Sequence, residues 1–217
     1  MPLSGFYFIT DPILTRNGML EDVAQALRAR VAIVQYRDKG VSEPRPALAR
    51  RMLELCRDAG VPFVVDDDVV LADSLGADGV HLGQTDTPAS VARAYLGPNA
   101  IVGVSVATAA EVAEAELAGA TYVAASPVFS TLSKPDAGPP IGLEGVRRIR
   151  AATRLPLAVI GGVHAGNAAA LVRAGANLVC AISASLRGGT VEANVRALRA
   201  AMGTDDSEHR IEPPYPA

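Results

Sequence analysis

The chain has 217 residues, 49% hydrophobic and 20% charged, with a formal net charge of −3. That balance suits one domain with a large core and offers no basic surface for nucleic acid. No apolar run approaches the roughly 20 residues of a membrane span. Aromatic residues make up 4% and tryptophan is absent, so the core must be built from Ala, Val, Leu and Ile. The opening Met1-Pro2-Leu3-Ser4-Gly5 lacks the charged and long apolar regions of a secretory signal, and a cytoplasmic location is expected. Cys56 and Cys180 show no metal-ligand spacing and read as small buried hydrophobes in a reducing compartment.

Strand-like runs occur at 5–10, 31–37, 62–67, 79–83, 100–106, 122–128, 157–163 and 178–184. Between them lie helical patterns near 19–29, 44–59, 69–75, 88–95, 108–118, 142–153 and 165–174, and a last helix near 191–202. Gly60, Gly76, Gly119 and Gly175 stand where helices should end. Eight strand-plus-helix units in about 200 residues is the count of a small (β/α)8 TIM barrel, an α/β fold, here one domain over 1–202. An open doubly wound sheet is the alternative. Its nucleotide-binding form would carry G-x-G-x-x-G after the first strand, where this chain has Thr10-Asp11-Pro12. Residues 203–217 are polar and proline-rich, so a disordered tail is expected there. The longest polar loop, 130–140, has the composition of a lid or binding loop.

Polar residues gather at the C-terminal ends of the strands, the face on which barrel enzymes build their sites. In Val31-Ala32-Ile33-Val34-Gln35-Tyr36-Arg37-Asp38-Lys39 an apolar run ends in Gln35, Arg37 and Lys39 at i, i+2 and i+4. On an extended strand these three share a face, and two cations there call for an anionic partner. The third strand ends in Asp66-Asp67-Asp68 and the fourth leads to Asp86. Asp67 and Asp86 thus end neighbouring strands, about 4.8 Å apart in a barrel, and could share one Mg²⁺. Each could instead cap the helix that follows it. Gly161-Gly162 after the seventh strand, with Ser183 and a turn of helix after the eighth, matches the recurrent barrel phosphate site, or else is a tight turn. Lys134, flanked by Thr131 and Ser133, could close over an anion. Ser105 ends the fifth strand. His81 reads as a hydrogen-bonded structural group, and no Ser/His/Asp or Cys/His set is evident. The residues point to a Mg²⁺-dependent enzyme acting on small phosphorylated molecules, with no nucleic-acid or membrane partner; a homo-oligomer is compatible with this composition.

Seven segments in order resemble the thiamine phosphate synthase family. They are Tyr7-Phe8-Ile9-Thr10-Asp11, Gln35-Tyr36-Arg37-Asp38-Lys39, Gly79-Val80-His81-Leu82-Gly83-Gln84, Gly103-Val104-Ser105, Pro127-Val128-Phe129-Ser130-Thr131-Leu132-Ser133-Lys134, Ile160-Gly161-Gly162-Val163 and Ala181-Ile182-Ser183. The resemblance implies a cytosolic (β/α)8 transferase of thiamine biosynthesis. Such an enzyme joins 4-amino-2-methyl-5-hydroxymethylpyrimidine diphosphate to 4-methyl-5-(2-hydroxyethyl)thiazole phosphate, releasing diphosphate. By the same resemblance Gln35, Arg37, Lys39, Asp66, Ser105 and Lys134 contact the pyrimidine diphosphate. Thr131, Ser133, Gly162, Ile182 and Ser183 contact the thiazole phosphate, and Asp67 and Asp86 hold one Mg²⁺ per subunit. Arg37, Lys39, Ser105 and Lys134 are the implied catalytic groups. Asp66 and Asp68 stand where the family usually has Asn and Arg. Two other readings share the fold: a thiazole tautomerase, which tends to carry a His where this chain has Val106, and a non-catalytic ligand-binding paralogue.

Overall fold

In the computed structural model, which describes residues 3–39, 45–131 and 138–203, the alternating runs become a closed barrel of parallel strands in the order β1 to β8. The strands are β1 (Gly5–Ile9), β2 (Ile33–Tyr36), β3 (Phe63–Asp66), β4 (Gly79–Leu82), β5 (Ile101–Val106), β6 (Tyr122–Ala125), β7 (Leu157–Val159) and β8 (Leu178–Cys180). The helices are α1 (Met19–Arg28), α2 (Pro46–Asp58), α3 (Val69–Leu75), α4 (Ala89–Leu96), α5 (Ala109–Leu117), α6 (Gly142–Ala152), α7 (Ala165–Arg173), α8 (Ile182–Leu186) and α9 (Val191–Met202). The expected (β/α)8 barrel is therefore the fold. The tail expected from 203 lies, beyond the Gly203 cap of α9, outside the described residues.

Each strand is buried on both faces, as a helix-wrapped parallel barrel requires. Outward residues such as Phe6, Phe8, Val34, Phe63, Val80 and Val102 meet the helices, and Tyr7, Ile33, Val64, Tyr122, Ala158, Leu178 and Cys180 fill the lumen. The helices supply matching stripes. In α2 the buried Ala49, Met52, Leu53 and Cys56 follow the i, i+3, i+4, i+7 spacing of one helical face.

Several strands stop short of their apolar runs, always on the side that becomes the site. Strand β6 ends at Ala125; Ser126 N still donates to Val106 O at 3.1 Å, Pro127 has no N–H to extend the ladder, and the next bond is from Val128 N to Ile160 O at 2.8 Å. Strand β3 ends where Asp67 enters the left-handed region at φ 62°, a conformation Asp tolerates better than most residues. Beyond β7, Gly161 and Gly162 have φ 104° and 62°. A Cβ on Gly162 would lie 2.7 Å from both Phe129 Cβ and Ser130 O, so this turn is held against the segment after β6.

Gly103 has a steric role of its own. A Cβ there would sit 2.1 Å from Cζ of Tyr122 and 2.3 Å from its hydroxyl oxygen. The absent side chain is what admits a tyrosine ring to the lumen. Gly103→Ala should lower folding stability by about 1–3 kcal/mol through overpacking, read as an earlier urea midpoint.

Candidate active site

The C-terminal mouth of the barrel opens into a cavity. Gln35, Arg37, Lys39, Asp66, Asp67, Ser105, Thr131, Gly162, Ile182 and Ser183 all line it. Thus the structure brings together, from six strand ends, residues singled out along nearly the whole sequence. Ser133 and Lys134 lie outside the described residues.

Along the end of β2 each expected cation has a carboxylate. Thr10 clamps the backbone of Arg37: its hydroxyl donates to Arg37 O and accepts from Arg37 N, both at 2.8 Å. The guanidinium then pairs with Asp11 at 3.0 Å and reaches Asp66 at 3.7 Å. Lys39 Nζ lies 2.6 Å from Asp67 Oδ2, a bond that raises its pKa. Asp38 turns away from this row and pairs with Arg45, while the Tyr36 hydroxyl donates to it at 2.5 Å. Gln35 is 2% exposed and sits deeper, its Nε2 donating to the Tyr7 hydroxyl at 2.8 Å.

The three consecutive aspartates divide their work. Asp66 faces the cavity beside Arg37. Asp68 is the N-cap of α3 and accepts from Leu71 N at 2.8 Å, so its charge complements the helix dipole on the exposed outside. Asp67 is not a cap. Its backbone N donates to His81 O at 2.8 Å, and its carboxyl joins Lys39 and Asp86. Burial raises the pKa of Asp67, the Lys39 bond opposes this, and the nearby Asp86 raises it further. The helix-cap reading also fails for Asp86: the cap of α4 is Pro88, and Asp86 instead accepts from Gly83 N at 2.7 Å. Two carboxylates in contact, Asp86 raising the proton affinity of Asp67, form a locus for a cation. All their donors are hard oxygens, which fits Mg²⁺. Among the described residues no set of three or more His, Cys, Asp or Glu forms a metal cluster, so further ligand oxygens would come from water or a bound molecule.

On the opposite side of the mouth, Gly161, Gly162, Ile182 and Ser183 converge on one edge of the cavity. Asn167 Nδ2 holds Gly162 O at 3.0 Å, and His164 caps α7. Both interactions fix this turn.

Sequence reasoning assigned no role to Tyr7 or Tyr122, which build the polar floor of the lumen with His81 and Ser105. The hydroxyls of Tyr7 and Tyr122 are 2.8 Å apart. Tyr122 also bonds His81 Nδ1 at 2.8 Å and stacks on its ring, and His81 Nε2 bonds Ser105 Oγ at 3.0 Å. The expectation of a hydrogen-bonded His81 agrees with this. The available signal was a tyrosine at an inward position of two strands that are far apart in sequence and face each other across the lumen.

A thiamine monophosphate synthase family model matches residues 6–185. The chain belongs to this family. The thiamine-phosphate synthase of Roseiflexus sp. (strain RS-1) is 47% identical over 200 residues, 91% of this chain and 85% of that protein. That of Moorella thermoacetica is 46% identical over 181 residues, 83% of this chain and 86% of that protein. The solved thiamine phosphate pyrophosphorylase from Pyrococcus furiosus superposes with a TM-score of 0.82 at 33% identity, covering 92% of this chain and 95% of that one. A 3-hexulose-6-phosphate synthase at 20% identity and TM-score 0.65 shares the fold alone.

The division of labour among the aspartates can be tested. Asp68→Ala should cost about 1 kcal/mol of stability, the usual worth of an N-cap, in urea unfolding, and should leave the dependence of any activity on Mg²⁺ unchanged.

Proposed function

We propose that this chain is a thiamine phosphate synthase. It joins 4-amino-2-methyl-5-hydroxymethylpyrimidine diphosphate to 4-methyl-5-(2-hydroxyethyl)thiazole phosphate, giving thiamine phosphate and diphosphate. The observation that carries this reading is a mouth on which Arg37 and Lys39 stand beside the Asp67–Asp86 carboxylate pair. Cations and a divalent-ion locus on one wall are what a diphosphate leaving group needs. Family membership supports the same choice over thiazole isomerisation or simple ligand binding.

In this reading the C–O bond between the pyrimidine CH₂ and the diphosphate breaks first, and the diphosphate departs with the electron pair. The electron-rich aminopyrimidine ring stabilises the carbocation left behind. The thiazole nitrogen then supplies its lone pair, forms the C–N bond and becomes the thiazolium nitrogen. No general base is required, because the nucleophile is an aromatic nitrogen. Arg37 and Lys39 exchange their carboxylate contacts for the diphosphate oxygens, and Lys134 adds its charge. One cation about 4 Å from a phosphate oxygen is worth roughly 4 kcal/mol at an effective dielectric of 20. Gln35, Asp66 and Ser105 hold the pyrimidine half. Thr131, Ser133, Gly162, Ile182 and Ser183 hold the thiazole phosphate, so the two reacting atoms meet in one orientation. Asp67 and Asp86 would hold one Mg²⁺, which supplies neutralising charge to the leaving diphosphate.

The two phosphorylated halves and Mg²⁺ should yield thiamine phosphate, read by thiochrome fluorescence after oxidation. Failure to form product under these conditions would refute the assignment, and isomerisation of the thiazole alone would replace it with the tautomerase reading. Asp67→Asn should raise the Mg²⁺ requirement at least about tenfold, since a charged oxygen ligand is lost. An unchanged Mg²⁺ titration of initial rates would take Asp67 out of the metal shell.

A further inference from the structure

We infer that the buried row Gln35–Tyr7–Tyr122–His81–Ser105 is a one-directional hydrogen-bond relay that holds His81 as its Nε2–H tautomer and makes Ser105 Oγ a donor towards the cavity. The direction follows from proton counting. Gln35 Nε2 can only donate, and it donates to the Tyr7 hydroxyl at 2.8 Å. The Tyr7 proton then goes to its other partner, the Tyr122 hydroxyl, at 2.8 Å. Tyr122, having accepted, donates to His81 Nδ1 at 2.8 Å. A neutral ring that accepts at Nδ1 carries its proton at Nε2, and this nitrogen lies 3.0 Å from Ser105 Oγ. Ser105, having accepted from His81, has its own proton left for the cavity it lines.

The surroundings hold the members of the relay in place. Both tyrosines are fully buried, and burial raises their pKa values well above the ordinary value for a phenol, so both remain donors. The rings are locked edge to face, with centroids 6.0 Å apart, and Tyr122 stacks on His81 at 5.6 Å. Gly103 makes the room that Tyr122 occupies. Turning the Gln35 amide over would reverse every link and leave Ser105 an acceptor towards the cavity. The two ends, both on the cavity wall, are therefore coupled. A ligand that fixes the Gln35 amide also sets what Ser105 can recognise, and the floor selects a molecule that presents a hydrogen-bond acceptor at Ser105. His81, Tyr7 and Tyr122 are positioning residues, acting through Gln35 and Ser105. The direction of the bonds rests on the Gln35 amide presenting Nε2, and not Oε1, to Tyr7, whatever the protein's function. Only the identity of the ligand, the aminopyrimidine half, rests on the proposed function.

The first test needs no activity. With ¹⁵N-labelled histidine in the full chain, three histidines must be resolved, and His81→Asn assigns the relevant signals. The ligand-free protein should show neutral His81 protonated at Nε2. Tyr122→Phe should convert this to a tautomer mixture, and Tyr7→Phe, which keeps Tyr122 in place, should do the same if the first variant folds poorly. A proton on Nδ1, or a mixture already present in the unaltered protein, overturns the proposal. The second test is kinetic. Either Tyr→Phe variant should raise KM for the pyrimidine diphosphate about tenfold, the usual worth of a lost buried hydrogen bond, and change KM for the thiazole phosphate less than about twofold. Unchanged KM values, or equal rises in both, overturn the relay. A protein that makes no thiamine phosphate but keeps the Nε2–H tautomer would refute the synthase reading and leave the relay standing.

Discussion

A closed parallel barrel buries both faces of every strand, and this single constraint organises the rest of the molecule. A polar side chain on such a strand must find a partner inside the lumen or reach the mouth. Gln35 takes the first course and Arg37, two residues on, takes the second, bonded to Asp11 at the rim. The lumen layer of Tyr7, Tyr122 and His81 is polar only because each hydroxyl and ring nitrogen is matched by a neighbour from another strand. The floor of the cavity and the top of the core are thus one layer of side chains.

Each described cation at the mouth already has a carboxylate before any ligand arrives. Arg37 is shared between Asp11 and Asp66, and Lys39 lies on Asp67. An anion entering with a divalent cation could exchange partners without stranding a charge: the cation takes the aspartates and the anion takes the released Arg and Lys. This exchange keeps the cost of assembling so many charges in a half-buried cleft within reach. It also gives Asp66 a place beside Arg37, and Asp68 contributes its charge to α3 on the outer surface, away from the anion.

Much of this was legible in the sequence. The repeat of apolar runs and helical stripes specified a barrel, because periodicity of 2 and 3.6 is a local property. The helix-ending glycines marked boundaries for the same reason. The row Gln35, Arg37 and Lys39 stood out since i, i+2 spacing assigns a face directly. Less legible were the ends of strands. Apolar runs such as 157–163 and 178–184 continue past β7 and β8, where Gly161 turns and α8 begins, because composition does not record where hydrogen-bond partners run out.

By itself the sequence determined the architecture, the family and ten of the residues that line the barrel mouth. Only the tertiary structure decided what each does there. Asp67 and Asp68 are identical neighbours in the chain, yet one faces Lys39 and Asp86 while the other caps a helix, a difference set by the left-handed turn at Asp67. Likewise Tyr7, Tyr122, His81 and Ser105 are spread over about a hundred residues and become one hydrogen-bonded row only when the barrel closes. Side-chain hydrogen bonds depend on positions in space to a few tenths of an ångström, and local sequence cannot specify positions across a lumen.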